Sequence, residues 1–299
     1  HPRWEVAALR DSLEHKDQLE ALLETNNSSP QVMGVSRNGD VGVQQLMALG
    51  GEPGHWSPYA TTIKVSPRSI PEIRRGTIGV QDEGSQLVAL TLAAVSIEGK
   101  DNQWLDMCAG PGGKAALLKY LGAQRGATLT AVELQPHRAA LIESALRNVE
   151  GDSTVITADG TDQRFATGTY DRVLVDAPCT GLGVVRRRAE SRWRRTPSDV
   201  AALSKVQKAL LLNALRAVRP GGVVLYSTCS PHLAETDFVV EDVLKADKLS
   251  RLLDASTVEI PGLRSVEKYR QSVGTGPYVR LWPHIHGTDA MFMAILTRD

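Results

Sequence analysis

Cysteine is scarce in this chain: three residues of 299, at positions 108, 179 and 229. None forms a C-x-x-C pair, so neither a zinc site nor a disulfide framework is expected, and no metal is assigned. Free thiols suit a reducing, cytoplasmic setting. No apolar run approaches the ~20 residues that a membrane helix needs, and no signal-peptide pattern is read at the start. The first residue is His1 rather than Met, as in a fragment or a trimmed chain. A charge excess is missing too: Lys+Arg and Asp+Glu are both 34, for a net charge of zero. That balance excludes no partner, because local clustering matters more than the sum. Internal repeats and long low-complexity segments are also absent. What remains, 42% hydrophobic and 23% charged, is the composition of an ordinary soluble globular protein. Its length suits one large domain plus a small one.

Two regions differ in pattern. Residues 1–75 predict a small α+β domain. Helical spacing from Val6 to Leu23 breaks near His15-Lys16, and short strands at 31–36 and 61–65 flank a helix at 41–49. A linker is expected over 66–76. From 76 to 299 strands and helices alternate. Strands are predicted at 104–107, 128–132, 154–157, 172–175, 223–226 and 290–296, with helices at 81–95, 114–121, 136–149, 198–218 and 233–244. This alternation means a Rossmann-like α/β sheet covered on both faces.

Cys108-Ala109-Gly110-Pro111-Gly112-Gly113-Lys114 lies between a strand and a helix. Glycines there let the backbone approach a ligand and expose N–H groups at a helix N-terminus. The loop is neither G-x-x-x-x-G-K-[ST] nor a clean G-x-G-x-x-G, which disfavours a nucleoside triphosphatase. Glu133 ends the next strand, where a carboxylate accepts from both ribose hydroxyls. Asp159 ends the third, within reach of an adenine edge. The set suits S-adenosylmethionine better than NAD, with Asp106 placed to meet the cationic amino-acid end.

Cys179 lies in Asp176-Ala177-Pro178-Cys179-Thr180-Gly181 and Cys229 in Tyr226-Ser227-Thr228-Cys229-Ser230. Each follows a short β-branched run that reads as a buried strand, so each sits at the ligand-binding end of the sheet. Thiols beside a methyl donor suggest cytosine chemistry. Cytosine C5 is too electron-poor to attack a methyl group until a thiolate adds at C6; after transfer a base removes the C5 proton and the thiol leaves. Asp176 can hold the N3 edge. A free thiol is only a few per cent ionised near neutrality, and a helix opening near Leu233 is expected to raise that fraction for Cys229. Spacing alone cannot choose between the two thiols. Cys108 reads as a small buried hydrophobe whose backbone serves the loop.

The sequence resembles the RNA cytosine-5 methyltransferases of the Fmu/Sun/NOL1/NOP2 family, in its RsmB-like branch, over nearly all of 76–299. The run from Tyr170 to Gly181 looks like that family's most specific motif, and Tyr226–Ser230 looks like its nucleophile motif. Val80–Gln86 and the 106–114 loop match as well, and His1-Pro2-Arg3-Trp4 resembles the start of the family's small domain. The resemblance implies that Cys229 attacks C6 and that Cys179 assists release of the methylated RNA. It carries cofactor contacts to Cys108–Lys114, Glu133, Asp159 and Asp176, and less firmly to Arg138. One departure is Ala115, where the family often has Thr. The segment 1–75 is less typical.

The segment 184–195 holds six arginines (Arg186, Arg187, Arg188, Arg192, Arg194, Arg195) against one acid, with Trp193 among them. Guanidinium groups beside an indole suit phosphates and stacked bases, so this segment is expected to bind RNA. A flipped or single-stranded cytosine is required. The expectation is thus an RNA cytosine-5 methyltransferase acting on small-subunit ribosomal RNA. The alternatives are transfer RNA as substrate, a DNA cytosine methyltransferase, or an inactive ribosome-assembly factor that only binds RNA. His284, His286 and Asp289 read as a structural turn rather than a metal site.

Overall fold

The computed structural model describes residues 1–162 and 167–299. The chain opens with helices α1 (Arg3–Ser12) and α2 (Leu19–Thr25), then strand β1 (Met33–Ser36), α3 (Asp40–Ala48), β2 (Ala60–Thr62), α4 (Pro71–Arg75) and β3 (Ile78–Val80). The three strands form a small antiparallel sheet in the order β2-β1-β3. The boundary expected at 75/76 therefore moves past Val80, because β3 pairs with β1 through Gly34↔Val80 to Ser36↔Ile78. The expected linker is largely a turn and the helix α4. Helices α1 and α2 turn their apolar faces elsewhere. Leu9, Leu13 and Leu22 share a core with Trp282 and Ala290 at the far end of the chain.

The next units are α5 (Glu83–Ala94), β4 (Gln103–Asp106), α6 (Gly113–Ala123), β5 (Thr128–Glu133), α7 (Pro136–Leu146), β6 (Asp152–Thr157), β7 (Tyr170–Asp176), α8 (Ser191–Arg194), α9 (Pro197–Ala217) and β8 (Val218–Thr228). Then come α10 (Asp237–Ala246), β9 (Ser250–Leu253), α11 (Val266–Ser272), β10 (Val279–Leu281), α12 (Pro283–His286) and β11 (Met291–Arg298). Among the described residues the large sheet has eight strands, ordered β10-β11-β8-β7-β4-β5-β6, with β9 also on β11. The strands from β4 to β8 run parallel, and β11 returns antiparallel beside β8. Strand order reverses at β4, which has β5 on one side and β7 on the other. A crevice opens at such a point beyond the carboxyl ends of the strands.

Alternate side chains of each central strand enter opposite cores. Trp104 packs with α5 and α6, while its neighbour Leu105 packs with α9. Burial on both faces is why these strands read as nearly unbroken apolar runs. The charged exception is satisfied: Arg172, 2% exposed, bonds both carboxylate oxygens of Asp101 at 2.8 Å and the carbonyls of Leu92 and Val95 at 2.7 Å. Without those partners a buried guanidinium would cost several kcal/mol.

Two neighbouring acids join the small sheet to the large one. Glu83 is buried, and its carboxylate accepts the backbone N–H groups of His55, Trp56 and Ser57 at 2.9–3.1 Å. Asp82 caps α5 through the Gly84 N–H and accepts the Asp289 N–H, both at 2.9 Å. Among the described residues no helix is long and apolar enough to cross a membrane.

Candidate active site

A cavity of about 580 Å³ opens at the carboxyl ends of β4, β5 and β7. Its lining includes Cys108, Gly110, Pro111, Glu133, Arg138, Asp159, Asp176, Cys179 and Cys229. Thus most residues predicted from separate motifs meet at one place. Leu134 adds apolar lining, as do Leu203, Val206 and Leu210, which the sequence pattern reads as the apolar stripe of the 198–218 helix but does not place in a cavity.

The glycine loop is shaped by what surrounds it. A Cβ at Gly110 would lie 2.0 Å from Glu133 Oε2 and 2.8 Å from an Arg138 guanidinium nitrogen, so any other residue would displace one of these side chains. Gly112 has φ +107°, a left-handed conformation that disfavours any side chain, and it is the N-cap of α6. Arg138 donates to the Gly110 carbonyl at 2.8 Å, and its Nε lies 3.5 Å from Glu133 Oε2. Arg138 therefore fastens the loop as well as lining the cavity. Asp159 accepts from the Thr161 N–H and hydroxyl through one oxygen.

Asp106 is 1% exposed, and its Oδ2 is buried without a hydrogen-bond partner. Burial, followed by repulsion from Asp176, pushes this carboxyl up to about 7. An orphaned buried carboxylate oxygen fits a cationic ammonium. With Glu133 on the neighbouring strand and a side-chain-free loop between them, the residues present fit S-adenosylmethionine.

Lys114 was expected to face the cofactor. Its ammonium instead lies 2.7 Å from Asp176 Oδ2. Burial alone would lower its pKa, but Asp176 outweighs this and the net shift is upward, with Cys229 adding to the pull. Asp176 Oδ1 accepts from the Ser227 hydroxyl at 3.0 Å across the β7–β8 pair.

The sulfur atoms of Cys179 and Cys229 are 3.4 Å apart. Adjacent parallel strands explain the approach, since Asp176 pairs with Ser227 and both chains then turn into loops at the same level. The Cys179 thiol is pushed well up by its hydrogen bond to Cys229, then by burial. The helix expected to support Cys229 from Leu233 begins only at Asp237. A short turn at Leu233–Glu235 precedes it, because Glu235 faces inward to the thiol loops. Glu235 was missed in the sequence. It lay inside a run that read as helix, and its partners are residues of the two cysteine loops.

The arginine segment divides. Arg186 and Arg187 are engaged within the protein: Arg187 pairs with Asp289 at 2.8 Å and Asp82 at 2.7 Å, and Arg186 Nε lies 3.1 Å from Asp289 Oδ1. These two arginines neutralise paired carboxylates held close together. Arg192 is likewise engaged, donating to Asn27 Oδ1 at 2.9 Å and to the Asn26 carbonyl. Arg188 and Arg195 line the cavity mouth. They and Arg194 make no side-chain ion pair with a described residue, and Trp193 is 73% exposed. His286 bonds to the backbone of Trp282, and Asp289 is held by the arginines.

Residues 93–297 match the family described as 16S rRNA methyltransferase RsmB/F. The chain is 46% identical over 301 residues to a Mycobacterium tuberculosis protein named "Putative methyltransferase", covering 100% of this chain and 64% of that one. It is 29% identical over 276 residues to ribosomal RNA small subunit methyltransferase B of Salmonella arizonae, covering 89% and 62%. The chain thus spans somewhat under two thirds of the length of these relatives. The fold is similar to that of NSun6 from Pyrococcus horikoshii, with TM-score 0.77, 17% identity, and 99% and 98% of the two chains covered. On the match over 93–297, the chain belongs to the RsmB/F family of 16S rRNA methyltransferases.

Proposed function

We propose that the protein is an S-adenosylmethionine-dependent RNA cytosine-5 methyltransferase acting on small-subunit ribosomal RNA. The observation that carries this reading is the pair of thiols, 3.4 Å apart, on the wall of a cavity that also holds Glu133 and the glycine loop. Methyl transfer to oxygen or to an exocyclic amine needs no thiol. Transfer to C5 needs one to activate the ring and gains from a second at release.

The methyl donor supplies an electrophilic methyl group. The protein's own residues do the rest. Glu133 accepts from the ribose hydroxyls, and Asp106 meets the ammonium. Cys229 adds to C6 of a flipped cytosine, moving electron density to C5. Asp176 holds the N3 edge, with Lys114 fixing its orientation. After transfer a base takes the C5 proton, the bond between C6 and the Cys229 sulfur breaks, and Cys179 assists departure of the RNA. Arg188, Arg194 and Arg195, with the exposed Trp193, meet phosphates and bases at the cavity mouth.

The test supplies methyl-labelled donor with 16S rRNA, transfer RNA or DNA and identifies the labelled nucleoside by mass. Label in 5-methylcytidine from 16S rRNA is expected. Label confined to another nucleoside, to transfer RNA or to DNA would overturn the assignment.

A further inference from the structure

Glu235 is fully buried, and both thiol loops meet at its carboxylate. Oε1 accepts from the Thr180 N–H at 2.8 Å and Gln207 Nε2 at 3.1 Å. Oε2 accepts from Thr180 Oγ1 at 2.5 Å and Ser230 Oγ at 2.6 Å. Thr180 follows Cys179, and Ser230 follows Cys229. One side chain therefore holds the residue next to each sulfur, and all four acceptor positions of a carboxylate are used. Glu235 is itself held: its carbonyl accepts from the buried Tyr226 hydroxyl at 2.7 Å, and its N–H donates to His232 O at 2.8 Å.

The Glu235 carboxylate is held unequally by the two loops: the Thr180 N–H and hydroxyl beside Cys179 both donate to it, whereas only the Ser230 hydroxyl does so beside Cys229. The Glu235 charge is among the influences that keep the Cys179 thiol high, after the Cys229 hydrogen bond and burial. Asp176, Cys108 and Tyr226 also face the pair, with Arg188 and Arg195 across the cavity. Within its own turn Glu235 has His232 nearby.

We propose that Glu235 is a positioning residue that decides which thiol acts as nucleophile, by clamping both loops through Thr180 and Ser230 and by placing its charge on the Cys179 side. This deepens the proposed function and rests on Cys229 being the nucleophile. Gln at this position keeps the clamp. Its amide oxygen takes the two N–H donors, and its NH₂ donates to the two hydroxyl oxygens, which accept as readily as they donate. Only the charge is lost.

The experiment alkylates the full chain with iodoacetamide across a pH series and maps each cysteine by peptide mass. The thiolate sulfur displaces iodide, so labelling reports ionisation and needs neither RNA nor donor. Its outcome is separate from that of the methylation assay. In the native protein Cys229 labels at lower pH than Cys179. In Glu235→Gln the Cys179 midpoint falls by about one pH unit or more toward that of Cys229, while thermal unfolding is unchanged. A purely structural role would leave the two midpoints in place. An unchanged gap in Glu235→Gln, or Cys179 labelling first in the native protein, would overturn the proposal. Glu235→Asp keeps the charge and must keep the native order; reversal there would also overturn it. The clamp is tested without touching Glu235. Phenylarsine oxide bridges neighbouring thiols, and Thr180→Val or Ser230→Ala, each of which removes a hydroxyl bond to Glu235 together with the direct Thr180–Ser230 contact at 3.2 Å, should weaken its binding about fivefold or more. Equal binding would show that the loops do not depend on Glu235.

Discussion

The Lys114 ammonium sits 2.7 Å from Asp176 Oδ2. This contact joins the helix after the glycine loop to the strand that leads to Cys179. The glycine-loop side and the cysteine side of the cavity are thereby held in register by this ion pair. Lys114→Met leaves Asp176 Oδ2 without its cation and is expected to lower stability by about 2 kcal/mol. Denaturant unfolding of the two proteins checks this, and an unchanged midpoint would show that the pair does not hold the helix to the strand.

The thiols should separate by the stage at which turnover stops. Cys229→Ala is expected to abolish methyl transfer and to leave no RNA–protein adduct, because C6 addition is lost. Cys179→Ala is expected to accumulate an adduct, visible as a shifted band on a denaturing gel, because release is impaired. Normal turnover in the first variant would remove Cys229 from the chemistry. Absence of the band in the second would remove Cys179 from release.

Donor binding should depend on pH through Asp106. Its carboxyl is raised to about 7 by burial and then by Asp176, so below pH 7 it is mostly neutral and offers no charge to an ammonium. The donor dissociation constant should rise about tenfold per unit as pH falls below 7, with a proton released on binding. In the free protein the sign is opposite. A carboxyl whose folded pKa exceeds its unfolded one stabilises the fold at low pH, and that contribution is lost as pH rises through about 7. Calorimetry from pH 5.5 to 8.5 checks the first statement. A flat profile in the native protein, or the same slope in Asp106→Asn, would count against it.

The arginine segment should show two kinds of behaviour. Arg188→Ala and Arg195→Ala are each expected to weaken RNA binding and to reduce the salt slope by about one. Arg187→Ala should leave that slope alone and lower stability by about 2 kcal/mol, since it strips hydrogen bonds from Asp82 and Asp289. Equal salt slopes across all three variants would mean that the division is wrong.

The alternation of strand and helix from residue 76 was legible because each element is long enough to show its period. The cysteines at 179 and 229 were legible because each follows a short apolar strand. The roles of Arg186 and Arg187 were not, since Asp289 lies about a hundred residues away and Asp82 equally far in the other direction. Strand β3 was missed because three residues, Ile78–Val80, are too few to show a period. The stretch 245–289 holds short elements such as β9 and β10 that depend on β11 for pairing. The thiol clamp at Glu235 has little local signature, because its bonds from Thr180 and Gln207 exist only after the strands and α9 have assembled, and only the bond from Ser230 is close in sequence.

Consecutive acids facing opposite ways make residues 82 and 83 a single fastening for two seams. A graft of the first eighty residues from a relative would need its own 54–57 loop to offer three N–H groups in the same place. A graft of the arginine segment would need cations at 186 and 187. Either seam can be exchanged alone, whereas an insertion between Gln81 and Gly84 would disconnect both at once.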